Sequence, residues 1–350
     1  MPVELTVYTD EAGFDALRPE WNDLLRRSRF DTIFLTWEWQ RTWWQRLGAQ
    51  RGPLYILAAR AAARLVGILP LYATDEGDAR VLHVVGCTEV SDYLDLIIET
   101  GQEEPVYAAF LGWLAGPDAP HWDGINLCNQ PGPSLAHTRL AEMARAAGYS
   151  VTVEQEDVCP IIALPVDAAA GEDGWDRYLS TLDKKERHEI RRKLRRIERE
   201  ATDVRVRYVT ADGAGLATDM DTFIRLHRNS RTDKHAFMTP EMQAYFRAIA
   251  AALADCGWLQ LSFLEIEGQA VATYFCFDYN GQILVYNSGY DPAAVPQLSP
   301  GWVLLARLIQ HAIELGRSHF DFLQGDEDYK YRFGGADTPV YTTLIERPAA

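Results

Sequence analysis

The chain has 350 residues, of which 47% are hydrophobic and 24% charged. That length suits two domains, and that composition belongs to a folded globular chain and not to a disordered one. No run of 18 apolar residues is present, so no membrane-spanning helix is expected, and the start Met1-Pro2-Val3-Glu4-Leu5 shows no secretory pattern.

Hydrophobic period and turn residues predict strands at Val3–Tyr8, Leu54–Arg60, Leu65–Tyr72, Val81–Val85, Leu94–Glu99, Gly124–Cys128 and Val151–Glu154. Helices are expected near Asp10–Ser28, Thr36–Leu47, Glu104–Ala115 and Ser134–Ala147, followed by one long helix over Gly174–Glu200. The second half then reads as a strand (Val204–Val209), two helices (Gly215–Asn229 and Thr239–Cys256) and three strands (Leu259–Ile266, Gln269–Asp278, Gln282–Ser288). A helix from Ser299 to Leu315, a strand at His319–Leu323, a charged loop and a strand near Val340–Ile345 close the chain. The two halves share one order of elements, which predicts a duplication with a repeat of about 170 residues. The domains are therefore drawn as 1–170, a basic connecting helix 171–200, and 201–350.

Charge is unevenly spread. Lys184 to Arg199 holds nine lysines and arginines against three glutamates, a local +6 within a chain of −16, leaving −22 for the rest. Ile190, Leu194 and Ile197 give this segment one packing face, and its other faces attract anions over about a Debye length. Five cysteines (Cys87, Cys128, Cys159, Cys256, Cys276) lie scattered without a CxxC pair. They read as reduced cytoplasmic thiols, and no metal site is expected.

Several places carry possible chemistry. Ser299-Pro300-Gly301 opens a helix: serine is a strong N-cap, proline loses nothing at the first position, and the free N–H groups suit a phosphate. The same residues also serve as a plain cap. The run from Asp321 to Gly334 places carboxylates, phenols and Lys330 just after a strand end, with Tyr329, Tyr331 and Phe333 interleaved. Asp92 and Asp95 flank a strand start, and Asp95, within an apolar run, needs a partner. Trp37, Trp39, Trp43 and Trp44 crowd one helix. His227, Arg228, Arg231, Lys234 and His235 bunch between two helices, where Arg231 and His235 are candidates for anion binding or proton transfer.

The element order, the duplicated halves, Ser299-Pro300-Gly301 and the ending Asp321-Phe322…Gly325…Tyr329-Lys330 resemble tandem-domain acyltransferases of the GNAT superfamily. The group resembled is the CelD-like one of cellulose biosynthesis, with the Fem-type peptidyltransferases as relatives; Lys330-Tyr331-Arg332-Phe333-Gly334 is similar to the Fem ending. The resemblance implies an α/β (α+β) fold of two GNAT-like domains with mixed, mostly antiparallel sheets flanked by helices. It implies a degenerate first domain on the acceptor side, offering Trp37, Asp92 and Tyr93, and a catalytic second domain.

The implied reaction is direct attack of an amine, small or saccharide-linked, on acyl-CoA. Asp321 or Asp92 is expected as base, Tyr329 as proton donor to the leaving group, and Lys330 as the charge facing an oxyanion. Tyr286, Asn287 and Ser288 are expected along the donor, Ser299 and Gly301 at its diphosphate, and Arg231, His235 and Asp326 near the acceptor. Counted from Gln297, Pro300 and Trp302 stand where the family's phosphate loop has small residues. Aminoacyl-tRNA is the alternative donor, its phosphates gripped by the basic helix. A non-catalytic binding role in polysaccharide synthesis is the alternative from another class.

Overall fold

The computed structural model describes residues 2–165, 172–211, 213 and 215–348. It divides into two compact units, Met1–Asp157 with Thr338–Ala350, and Val158–Asp337. The fold is mixed α/β with mostly antiparallel strands.

In the first unit β1 (Val3–Tyr8), β2 (Leu54–Ala61), β3 (Arg64–Glu76) and β4 (Ala79–Val84) pair in sequence, all antiparallel. The short β5 (Ile97–Ile98) adds to β3, and β6 (Gly124–Pro131) runs parallel to β4. Helices α1 (Ala12–Arg27) and α2 (Trp37–Trp43) separate β1 from β2; α3 (Glu103–Ala115) precedes β6, and α4 (Ala141–Ala146) follows it. The strand expected over Leu94–Glu99 shrinks to two residues. Its first part is diverted, because Leu94 N–H donates to the Asn129 carbonyl and Asp95 Oδ1 accepts from Leu96 N–H at 2.8 Å.

The strand β7 (Ser150–Ala163) runs through the unit boundary. In the second unit the long expected helix is two, α5 (Glu172–Thr181) and α6 (Lys184–Glu200), because Asp183 takes an extended ψ of 147° at the start of α6. Next come β8 (Val204–Val209), α7 (Leu216–Ser230), α8 (Thr232–Phe237) and α9 (Pro240–Asp255). The strands β9 (Leu259–Ile266), β10 (Gln269–Tyr279) and β11 (Gln282–Tyr290) follow, then α10 (Pro300–Glu314), β12 (His319–Asp321), α11 (Asp328–Arg332) and β13 (Ala336–Glu346). Strands β8 to β11 pair antiparallel in sequence and β11 runs parallel to β12. This repeats the pattern of β1–β4 and β6, so the duplication is plain in the pairing.

The hairpin turns explain the tight register. Asn280-Gly281 and Glu267-Gly268 hold two successive left-handed residues, φ 50° and 70° in the first and 52° and 76° in the second. Such turns match the twist of paired strands. On one face of strands β9 to β11 Val303, Leu304, Leu308 and Ile309 of α10 bury in one cluster with Cys276, Ile283 and Val285, and Ile190, Leu194 and Ile197 of α6 join it. On the other, Phe223 of α7 and Phe246 of α9 enclose Phe275.

The unit limits differ from those drawn on the sequence. The closing strand belongs from Thr338 onward to the first unit, where Val340–Glu346 pairs with β6, and α6 belongs to the second unit. The limit expected at 170/171 lies outside the described residues. Cys87 and Cys128, expected as reduced thiols, are joined in a disulfide within the first unit; Cys159, Cys256 and Cys276 are free. Among the described residues, no helix is long and apolar enough to cross a membrane.

Gly289 lets α7 approach β11. A Cβ there would stand 2.4 Å from the His227 nitrogen and 2.5 Å from its Cα, both backbone atoms that cannot swing aside. Gly289→Ala should therefore destabilise the protein by about 1–3 kcal/mol, the usual cost of overpacking. A denaturant midpoint equal to that of the parent would show that α7 yields freely.

Candidate active site in the second unit

Strands β11 and β12 pair over only three residues, ending at Leu284 opposite Asp321. Beyond that point β11 runs six residues further to Tyr290 while β12 stops, so one edge of β11 is left without a strand neighbour among the described residues. Its register against β10 also slips there. Phe275 faces Asn287 and Cys276 faces Val285, so Tyr286 is the extra residue of a bulge. Bulges re-aim backbone and side chains next to functional clefts. In the first unit β4 ends one residue past its parallel pairing with β6, so no comparable edge opens.

The bulge sends two expected donor-lining side chains elsewhere. Tyr286 stacks on Phe246 at 5.5 Å and packs on Phe277 at 5.1 Å, and Asn287 Oδ1 lies 3.1 Å from His227 Nε2. Both belong to the α7–α9 layer. Ser288 stays on the edge, where Lys234 of α8 donates to its carbonyl at 2.6 Å and meets its hydroxyl at 3.3 Å. Burial, with the Arg231 guanidinium nearby, pushes the Lys234 ammonium down to about 8 against the opposite pull of Asp233 and Glu327. His227 is pushed to about 4, mainly by burial and then by Lys234, and is neutral at pH 7. Arg231 and His235 are the candidates that the sequence offers in this cluster. Both are exposed: Arg231 is paired with Asp233 at 3.0 Å, and His235 Nε2 lies 2.9 Å from the Arg228 guanidinium.

Past β12 the chain turns through Leu323, a left-handed residue at φ 58°. Asp321, only 3% exposed, stabilises that turn by accepting from Leu323 N–H at 2.7 Å. Lys330, 2% exposed, completes it. Its ammonium donates to the carbonyls of Leu323 (3.1 Å), Gln324 (2.6 Å) and Gly325 (3.0 Å), with Glu327 at 2.9 Å. Three donors thus meet four acceptors, so the charge is turned into its own loop and not toward an oxyanion. Tyr329 packs edge-on against Phe322 at 6.0 Å, and burial raises its phenol far above the ordinary tyrosine value. Asp326 lies exposed on the same loop.

The start of α10 forms the other end of the cleft. Ser299 is left-handed at φ 53°, and its side chain does not cap the helix but accepts from Lys193 Nζ at 2.9 Å. The indole of Trp302 carries Lys193 at 4.8 Å and Arg332 at 4.5 Å. A cavity of about 390 Å³ opens here between Lys193, Tyr290, Asp291, Ser299, Gly301 and Trp302. A Cβ on Gly301 would meet no protein atom within 4 Å, so this face of the helix start is open to a ligand.

The three first-unit candidates sit otherwise. Trp37 donates through Nε1 to the Phe14 carbonyl at 2.8 Å and lies under the Arg18 guanidinium at 4.3 Å. Tyr93 is buried edge-on against Phe30 and Phe34. Asp92 is half-buried in the loop before β5. Asp95 has the partners its position demanded, the Leu96 N–H and the Ser134 hydroxyl, yet burial still pushes its carboxyl up to about 7.

Comparison with solved structures places the fold. FemX superposes with a TM-score of 0.65 at 12% identity, over 97% of this chain and 96% of that one. The C-terminal domain (DUF2156) of a putative lysylphosphatidylglycerol synthetase from Agrobacterium fabrum gives 0.55 at 11%, over 96% and 93%. L-PGS from Bacillus licheniformis gives 0.54 at 11%, over 97% and 92%. These identities speak for fold alone. No curated protein matches the sequence. Residues 184–331, from α6 into α11, match the family model described as Acetyltransferase (GNAT) domain, so the second unit carries a GNAT-type acetyltransferase domain.

Proposed function

We propose that the protein is an N-acyltransferase that moves an acyl group from acyl-CoA to an amine in the cleft of the second unit. The observation that carries this reading is the edge of β11, freed beyond Leu284, bulged at Tyr286 and leading to the open helix start at Gly301. The residues present fit such a donor: free N–H groups at the start of α10 and Lys193 suit its diphosphate, and the β11 edge suits an extended arm. When bound, the donor supplies an activated acyl carbonyl.

The chain's own groups then divide the work. Lys234, with its depressed pKa at the β11 edge, takes the proton from the attacking amine. Tyr329, kept protonated by burial, is suited to return one to the leaving group. Asp321 and Lys330 act at one remove, holding the loop that carries Tyr329. The first unit, without a freed strand edge, is proposed as a degenerate copy on the acceptor side. Ser299-Pro300-Gly301 and the Lys330–Gly334 ending support a place in the CelD-like group. A cytoplasmic location goes with an acyl-CoA donor. The alternative donor, aminoacyl-tRNA, has in its favour the exposed cations of α6.

Thermal shift with acetyl-CoA and longer acyl-CoAs tests the donor. At about 100 times its dissociation constant a ligand adds roughly 2.7 kcal/mol of stability. The parent protein should be stabilised, and Gly301→Glu, whose side chain has room to fold, should melt like the parent but lose the shift. A carboxylate there opposes an anion at the positive end of the helix. No shift in the parent with any acyl-CoA would sink the proposal.

A further inference from the structure

The first unit holds a small cavity that the proposed reaction does not use. Its volume of about 10 Å³ is room for one water-sized group, with Leu96, Ile98 and Leu135 on the apolar side and Asp95, Glu103 and Tyr107 on the polar side. We infer that this cavity binds a primary ammonium group, the head of a small alkylamine, held by Asp95 and Tyr107. The inference does not rest on the donor reading, because every residue in it belongs to the first unit.

The hydrogen bonds around the cavity leave acceptors over. An ionised carboxylate offers about four acceptor sites. Asp95 uses two of them, for the Leu96 N–H at 2.8 Å and the Ser134 hydroxyl. Glu103 is more heavily used: one oxygen takes the Arg29 guanidinium at 2.9 and 3.2 Å, the other the Gly101 N–H at 2.6 Å. Tyr107 of α3 is only 2% exposed and lines the cavity, yet its hydroxyl makes no hydrogen bond among the described residues. A phenol so deeply buried is costly to leave without a partner.

The charge is also incomplete. Glu103 and Tyr107 from α3 and Arg29 from the segment after α1 face Asp95, and the segment after β6 adds only the Ser134 hydroxyl. Two carboxylates thus meet one guanidinium, which leaves one negative charge over once Asp95 is ionised. Burial raises the Asp95 carboxyl to about 7, the Ser134 and Leu96 hydrogen bonds opposing it, and Glu103 adds to the rise while Arg29 reduces it. Water would fill the space but not the charge. A hard metal ion asks for about six oxygens, more than this lining provides. An ammonium head matches a water in size, carries the missing charge and has three donors to give. Asp95 and Tyr107 accept two of them, and a remaining lone pair of Glu103 the third. A tail can leave past Phe30 and Arg29, which line the cavity and are partly exposed.

Thermal melting of the full chain at pH 8 tests this, in methylammonium, ammonium, potassium and tetramethylammonium chlorides at equal ionic strength. At about ten times its dissociation constant methylammonium should raise the melting temperature by about 3–6 °C over tetramethylammonium, which has no N–H to donate. Ammonium should act alike and potassium should not. The site needs the carboxylate, so the apparent affinity should fall about tenfold from pH 8 to pH 6 as a carboxyl titrating near 7 takes up its proton. Asp95→Asn keeps the size and the acceptor for Leu96 but not the charge, and should lose the shift. Tyr107→Phe keeps the ring and the charge, and should weaken binding about tenfold. Potassium matching methylammonium would assign the cavity to a metal ion and overturn the inference. Equal melting in all four salts would overturn it too, leaving the cavity to water. So would a shift retained in Asp95→Asn, or a parental affinity in Tyr107→Phe.

Discussion

Lys234→Met should lower turnover by about 10²–10⁴-fold, the range for loss of a positioned proton acceptor, while the melting temperature changes little. Only the neutral amine can accept a proton, so the rate should rise with pH and level off above about 8, the value to which burial brings this group. In Lys234→Met that limb should disappear. Lys234→Arg is the sharper variant, because a guanidinium keeps the charge beside Ser288 but does not deprotonate in this range. It should be as slow as the methionine variant. Full rescue by arginine would mean that charge and not proton transfer is needed, and a limb retained in both would belong to the amine substrate. A pH profile of kcat for the three proteins decides among these.

Lys330→Met should unfold the protein more than it changes its chemistry. The oxyanion-facing charge that the resemblance implies for Lys330 would instead give a folded variant with a turnover loss of about 10²–10³-fold, by analogy with one oxyanion donor. The structure predicts another outcome, since the ammonium satisfies three carbonyls and Glu327 at a site 2% exposed. Stranding such partners costs about 3–5 kcal/mol, or on the order of 10 °C in melting temperature for a domain of this size. Whatever activity survives should show a KM effect as well as a kcat effect, because the loop bearing Tyr329 loses its anchor. A melting temperature within about 2 °C of the parent would return Lys330 to a surface or chemical role.

Much of the frame was legible. Val3–Tyr8 and Val204–Val209 match their strands residue for residue, since both alternate and end at turn formers. The start of α10 and the apolar stripe of α6 were equally open to reading. The site was less so. Five basic or imidazole side chains between Leu226 and Phe237 are equivalent on paper; Lys234 alone among them is given to Ser288, and that follows from the turn at Arg231 that starts α8. Likewise the burial of Lys330 depends on carbonyls that converge only because Leu323 is left-handed. The Cys87–Cys128 bond joins residues 41 apart in sequence, with no local spacing to announce it.

The exchange of strands has a consequence for synthesis. The second half of β7, which leaves the first unit, pairs with β12, while β13, which follows the second unit, pairs with β6. A chain emerging from the ribosome can therefore build β1 to β6 early, yet must wait for Val340–Glu346 before β6 gains that neighbour. Domains usually fold as they are made, N-terminal first. Here the first unit stays an open-edged intermediate until β13 has been made, and a premature stop near residue 335 would strand it there. Such edges invite pairing with other chains, so truncated products of this gene should be found in aggregates and not as a free N-terminal domain.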